Sequence, residues 1–318
     1  MNIGALLERN AARLDALYAG ADQSARYAAL ARAFEAHFGR APEKFISAPG
    51  RTEVVGNHTD HNHGRVLAGS VNLDTLAAVA ENGTSVVRLY SEGYPTAFKV
   101  DTSDLSVHEA EKNTTYALIR GVAARLKALG YRIGGFDAQV TSTVFKGSGL
   151  SSSAAFEVML VAAFDALFNG WTIDSQLNAR ISQYAENVYF GKPSGLMDQM
   201  ACAVGGLVAI DFGAEPASVE ALGYDFGAKG YSLCVVSAGG EHGNLTDAYA
   251  AIPAEMRMVA EQMGAKLLSE ISAEQLERAL PRLKNHVPDR AILRAFHFVD
   301  ETRRVGEAVA ALRRDDLP

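Results

Sequence analysis

A chain of 318 residues exceeds the size at which one hydrophobic core usually stops growing, so two domains sharing a cleft are expected, divided as residues 1–180 and 181–318. With 48% hydrophobic and 21% charged residues, the composition is that of an ordinary globular protein and excludes a disordered or fibrous chain. A formal charge of −7 argues against a nucleic-acid partner, because such a surface needs basic groups to release counterions.

The N-terminus, MNIGALLERNAARLDALYAG, lacks a basic start ahead of an unbroken apolar run and does not read as a signal peptide. No run of about 18 uncharged apolar residues marks a membrane span, so a cytoplasmic location without a membrane partner is expected. Apolar residues at helical spacing (Leu6, Leu7, Leu14, Leu17, then Tyr27, Leu30, Phe34) predict two amphipathic helices over residues 3–38, broken near Gly20. From Phe45 to Val100 the texture changes to short β-branched runs separated by Gly, Asn and Asp, the pattern of strands and turns.

Within that region lies PGRTEVVGNHTDHNHG, residues 49–64. Arg51, flanked by glycine, can clamp phosphate with its forked donors, and Asn57, His58 and Asp60 form a dense hydrogen-bonding patch suited to a polyhydroxylated ligand. The same letters suit a plain polar turn, and His58, Asp60, His61 and His63 could be read as metal ligands, although the spacing matches no familiar zinc pattern.

Residues 115–129 return to helical period and 136–145 alternate as a strand should. KGSGLSSSAA (residues 146–155) follows, and then a helix over 151–168 that is apolar on nearly every side and therefore buried between layers. Glycines let backbone approach a ligand, and the start of a helix presents unpaired N–H groups, so phosphate suits this place. A serine-capped Gly/Ser connector would carry the same letters, and the spacing differs from a P-loop.

A further helix is expected over 174–190, GLVAIDF and YSLCVVS read as strands, and 245–314 is predominantly helical. Between them lies ENVYFGKPSGLMDQ, residues 186–199. Asp198, set between Met197 and an apolar stretch, is expected to be partly buried and so to cap a helix or meet a cation or a substrate donor. Cys202 and Cys234 both sit in apolar surroundings and read as buried free thiols.

In this order the three segments resemble the GHMP kinase superfamily, and residues 49–64 resemble the galactokinase signature, GRxNxxGEHTDYxxG; matching segments run from Phe45 to Asp247. The resemblance implies an α+β fold of two domains, the first like ribosomal S5 with a left-handed βαβ element, and nucleotide bound between them. It implies transfer of the γ-phosphate of ATP to the anomeric hydroxyl of galactose or a related sugar. In that reading Lys146, Gly147, Ser148, Gly149, Leu150, Ser151, Ser152 and Ser153 bind ATP, and Glu186 with Ser153 holds Mg²⁺. Asn57, His58, Asp60, Gly195 and Tyr249 line the sugar, and Asp198 and Arg51 are catalytic.

Asn57 stands where the signature carries Glu, and His61 where it carries Tyr, so the sugar face is expected to be altered and the phosphate face not. The glycine-rich motif that the family carries near its C-terminus does not occur before Pro318, which implies a second domain lacking part of its sheet. A non-catalytic sugar and ATP sensor, or a superfamily kinase for another small alcohol, are the alternatives.

Overall fold

The structure is a computed structural model and describes residues 3–18, 20–145, 147–236 and 246–317. Its strands are β1 (Lys44–Val55), β2 (Arg65–Glu81), β3 (Val86–Ser91), β4 (Phe98–Asp101), β5 (Phe136–Ser142), β6 (Leu207–Asp211) and β7 (Ser218–Ala221). Its helices are α1 (Ile3–Arg9), α2 (Ala11–Leu17), α3 (Ser24–Phe38), α4 (Thr115–Ala128), α5 (Ser152–Phe164), α6 (Ser175–Tyr184), α7 (Met197–Val204), α8 (Thr246–Gln262), α9 (Ala273–Leu283) and α10 (Asp289–Arg313). The strands form one sheet in the order β4-β3-β5-β2-β6-β7, with β1 paired to β2. β3 and β5 are parallel and the other pairs antiparallel. A parallel pair needs a crossover, which β4 and α4 supply.

β2 carries LAAVA at residues 76–80 without polar alternation because both of its faces are covered. Ala77 and Val79 join the main core with Ile119 and Val122 of α4 and Leu160 and Phe164 of α5, whereas Leu76, Ala78 and Ala80 meet Tyr27, Leu30 and Phe34 of α3. The spacing of those α3 residues is one helical face, and each large apolar side chain buried there contributes about 1.5–3 kcal/mol.

α5 packs against β1, β2, α4, α6 and α7, which explains its apolar circumference. By length and composition Ser152–Asn169 could cross a bilayer, but 67% of it is buried inside the protein, as befits a core helix. α8, α9 and α10 enclose a second apolar cluster around Val259, Leu268, Leu276 and Phe298. The later turns of α10 place Val305, Val309 and Leu312 on Leu67 and Leu207 of the sheet.

Three readings of local structure change. Among the described residues the N-terminal segment holds three helices, α1 and α2 parting at Asn10, where the Asn10 N–H is shared between the Leu6 (3.2 Å) and Leu7 (3.1 Å) carbonyls and the side chain also donates to Leu6 O (2.9 Å). The helix begun at Asp174, whose carboxylate caps it through Leu177 N (2.8 Å), widens into a π-helical turn over Ala185–Phe190. YSLCVVS was expected as a strand, yet residues 231–236 pair with no strand among the described residues and lie exposed, so Cys234 is an exposed thiol while Cys202 is buried. Alternation makes a strand only where a neighbouring edge accepts its backbone groups.

Candidate active site

β1 carries the first functional groups. Its pairing with β2 shifts register between Pro49 and Arg51 and again between Glu53 and Val55. Gly50 is required because a Cβ there would meet the Leu150 carbonyl at 2.9 Å, and this closeness lets the 147–151 loop dock on the strand. The dock is made by Arg51, whose N–H donates to Leu150 O (3.0 Å) and whose Nη1 donates to Gly149 O (2.5 Å).

The rest of the Arg51 guanidinium grips Asp198 in the first turn of α7, with Nε to Oδ1 at 2.8 Å and Nη2 to Oδ2 at 2.6 Å. Burial alone would raise the Asp198 pKa, but Arg51, His58 and a hydrogen bond from Ser151 Oγ (2.6 Å) outweigh it and hold the carboxyl below its ordinary value. The aspartate is therefore an ionised acceptor at neutral pH. Ser151 stands at the N-cap of α5 in a left-handed conformation and makes no capping bond, because its hydroxyl is committed to Asp198. The first N–H groups of α5 consequently lack the serine cap expected of such a sequence and face the loop side, where an anion would be stabilised.

The sugar-signature turn meets the same region from the other side. Asp60 is buried, and its Oδ2 accepts from Met197 N at 3.1 Å. A Cβ on Gly195 would fall 1.8 Å from that oxygen, so only glycine permits the approach. Asn57 and His58 are exposed at successive positive φ angles of 48° and 58°, and Glu301 of α10 accepts from Gly56 N at 3.3 Å. Glu53 reaches under the turn to accept from His58 N (2.9 Å). Burial raises the Glu53 pKa despite His58, while burial lowers that of His61 and favours its neutral form.

Glu186 is nearly inaccessible, its side chain 3% exposed, and lies close to the serine-rich start of α5. Its Oε1 accepts from Ser153 Oγ (3.3 Å) and Lys192 Nζ (3.0 Å), and its Oε2 from Ser194 Oγ (2.6 Å) and Gln199 Nε2 (2.8 Å). Carboxylate and hydroxyl oxygens are the donors a hard cation such as Mg²⁺ takes, and that ion characteristically uses one or two protein ligands beside substrate phosphates, so Glu186 and Ser153 fit it. Among the described residues no three His, Cys, Asp or Glu side chains gather as a metal cluster.

Behind Gln199 lies Glu157, fully buried, whose Oε2 accepts from the same Gln199 Nε2 at 3.1 Å. Among the described residues Glu157 Oε1 and Gln199 Oε1 are buried with no partner. Burial first, and then the charge of Glu186, push the Glu157 pKa well above its ordinary value, so it sits in the core as a neutral acid. The folded chain thus keeps a proton that the unfolded chain releases, and this costs stability as pH rises above the ordinary glutamate range. Glu157→Gln removes that dependence, and thermal melts should show the variant gaining on the parent as pH goes from about 5 to 8. A constant difference in Tm would mean that Glu157 is ionised in the folded protein.

The structure therefore brings Arg51, Asp198, Ser151 and Gly149 into one hydrogen-bonded group, joins Ser153 to Glu186, and sets Asp60 against Gly195. Gly147, Ser148, Leu150 and Ser152 complete the loop, with Ser148 Oγ donating to Phe145 O (2.6 Å) and accepting from Leu150 N (3.3 Å). Lys146 lies outside the described residues, and Tyr249 is placed only by its backbone, on α8. Sequence reasoning missed Glu53, Glu157, Lys192 and Gln199. The one visible signal was a glutamate in the otherwise apolar run AAFEVMLVAAF.

A glycine turn feeding a buried helix, with an arginine-held aspartate beside it, defines a kinase of the GHMP class. The GHMP kinases N terminal domain matches residues 117–206, and the galactokinase galactose-binding signature matches residues 32–81. The fold agrees: Methanococcus jannaschii mevalonate kinase superposes with a TM-score of 0.53 at 11% identity over 84% of this chain and 79% of its own. Lactococcus lactis galactokinase, solved in complex with galactose, superposes with a TM-score of 0.75 at 24% identity over 90% and 74%. In sequence, the galactokinase of Streptomyces coelicolor is 33% identical, covering 89% of this chain and 72% of the relative. That of Homo sapiens is 31% identical, covering 90% and 72%. The chain belongs to the galactokinase family, and is a sugar kinase, a phosphotransferase.

Proposed function

We propose that the chain transfers the γ-phosphate of ATP to the anomeric hydroxyl of galactose or a close relative, releasing the sugar 1-phosphate in the cytoplasm. The observation that carries this reading is the single guanidinium of Arg51, which holds the Asp198 carboxylate and the glycine-loop carbonyl of Gly149 at once. Phosphoryl transfer asks the protein for positioning and charge neutralisation more than for covalent work. Asp198 accepts or orients the proton of the attacking hydroxyl, and Arg51 aligns that carboxylate and offers charge to the phosphoryl group in transit. The loop from Gly147 to Ser152 and the N–H groups opening α5 receive the nucleotide phosphates. Asp60, His58, Asn57 and Tyr249 take the sugar, and Gly195 leaves room for Asp60. Mg²⁺, held by Glu186 and Ser153, would neutralise the phosphate oxygens when bound.

The sugar face is where this chain departs from the signature. Asn57 offers an exposed amide in place of a carboxylate, while Glu53 is turned beneath the loop onto His58 N. Losing a charge-assisted acceptor shifts binding of one hydroxyl by about 1.5–3 kcal/mol, less whatever the amide returns, which is enough to reorder closely related sugars. Release of ADP from ATP and Mg²⁺ is therefore to be compared across galactose, N-acetylgalactosamine, glucose and arabinose. We expect turnover that depends on sugar and is highest with a galactose-configured one. Turnover confined to a non-sugar alcohol, or sugar binding with no turnover, would sink the reading.

A further inference from the structure

An ionised carboxylate offers about four lone-pair positions to donors, and Glu186 has all four filled by the chain itself. Ser194 and Gln199 occupy Oε2, and Ser153 and Lys192 share Oε1. Gln199 is completely buried and Ser194 is fixed through its backbone, since Ser194 N donates to Asn187 Oδ1 (2.9 Å) and Ser194 O accepts from Gln183 Nε2 (3.1 Å) and Asn187 Nδ2 (3.2 Å). Lys192 differs from the other three. Its side chain is 52% exposed, and it lies just beyond the π-helical turn, where Gly191 at φ 87° folds the chain back onto Glu186. A metal ion held by Glu186 and Ser153 must approach the same Oε1 that the Lys192 ammonium occupies.

We propose that Lys192 is an exchangeable cation of the phosphate site: it neutralises Glu186 when the site is empty, yields that oxygen to the metal when metal arrives, and turns its ammonium to the nucleotide phosphates when ATP arrives. This rests on the kinase reading above. A flexible four-carbon stem with a compact charge suits such an exchange.

The test uses Lys192→Met and Lys192→Arg beside the parent. Mn²⁺ binding is read by electron paramagnetic resonance without nucleotide, and ATP binding by calorimetry without metal. Lys192→Met should bind Mn²⁺ about tenfold tighter and ATP about tenfold weaker, the scale of one charge-assisted hydrogen bond. Lys192→Arg should restore ATP affinity to within a few-fold of the parent. A lysine that only steadied the loop would lower Tm and move neither affinity. Lys192→Met that binds Mn²⁺ no tighter than the parent, or that binds ATP equally well, overturns the proposal. Sugar-dependent ADP release by the parent, measured in parallel, tests the kinase reading separately, because both binding measurements are made without sugar or turnover.

Discussion

Asp198→Ala should lower turnover by roughly 10²–10⁴, the range for removal of a general base, while ATP affinity changes little. The carboxylate is the acceptor of both Arg51 donors and of Ser151, so it fixes the geometry of the reacting end as well as receiving a proton. Removing it also leaves a buried guanidinium without its counter-charge, a defect that costs about 3–5 kcal/mol when a buried pair is broken. Stability and chemistry must therefore be separated. Asp198→Asn serves this purpose: it keeps the volume but presents an amide N–H₂ to one of the two guanidinium donors, so turnover should remain low in a protein that stays folded at the assay temperature. The depressed pKa of Asp198 adds a pH signature. Its stabilising contribution is fully present above the ordinary aspartate range and is lost only as pH falls through the lowered folded value, so this group should not set an acid limb of activity near neutrality. Near-parental turnover in Asp198→Asn would remove the residue from the mechanism.

Gly195→Ala should be nearly as damaging, with the loss falling on the sugar. A methyl group there would lie 1.8 Å from Asp60 Oδ2, a distance no backbone adjustment of a few tenths of an ångström can relieve. Either Asp60 leaves its position or residues 194–197 move, and both routes break the bond from Met197 N to Asp60. Displacement of a positioned group by about 1 Å can cost on the order of 10²-fold in rate, so kcat/KM for the sugar should fall by that order while ATP binding stays near the parental value. The partner test is a double-mutant cycle with Asp60→Ala. If the clash is the cause, Gly195→Ala should add little further loss once Asp60 has been shortened. Additive losses would place the role of Gly195 elsewhere.

Much of the fold was legible because it is written locally. The α3 face, the buried helix behind the glycine loop and the helix starting near residue 174 each follow from spacing within one segment. Each motif was likewise visible as a contiguous string. What the string could not contain was the pairing between segments. Arg51 and Asp198 are 147 residues apart, and only family resemblance put them together in advance. Lys192 was in plain view, but its importance depends on how many donors already crowd Glu186. Ser151 was read as part of the nucleotide loop, and its hydroxyl bond to Asp198 was not visible in the string. The misread strand at 231–236 failed for the same reason: alternation records a propensity, and among the described residues no neighbouring edge takes it up.

The twice-shifted pairing of β1 with β2 has a consequence for how this protein can change. Between its two irregularities the strand must deliver Arg51 and Glu53, two positions apart, to the same side. Letters in this stretch can be exchanged one at a time, each at its own cost. Adding or removing a single residue between Gly50 and Val55 is a different kind of event, because a one-step slip turns every side chain of a strand to the opposite face. Arg51 would then abandon Asp198 and the glycine loop together, and the ends of the site that handle hydroxyl and phosphate would fail as one. Tolerance here should be graded for substitution and all-or-none for length.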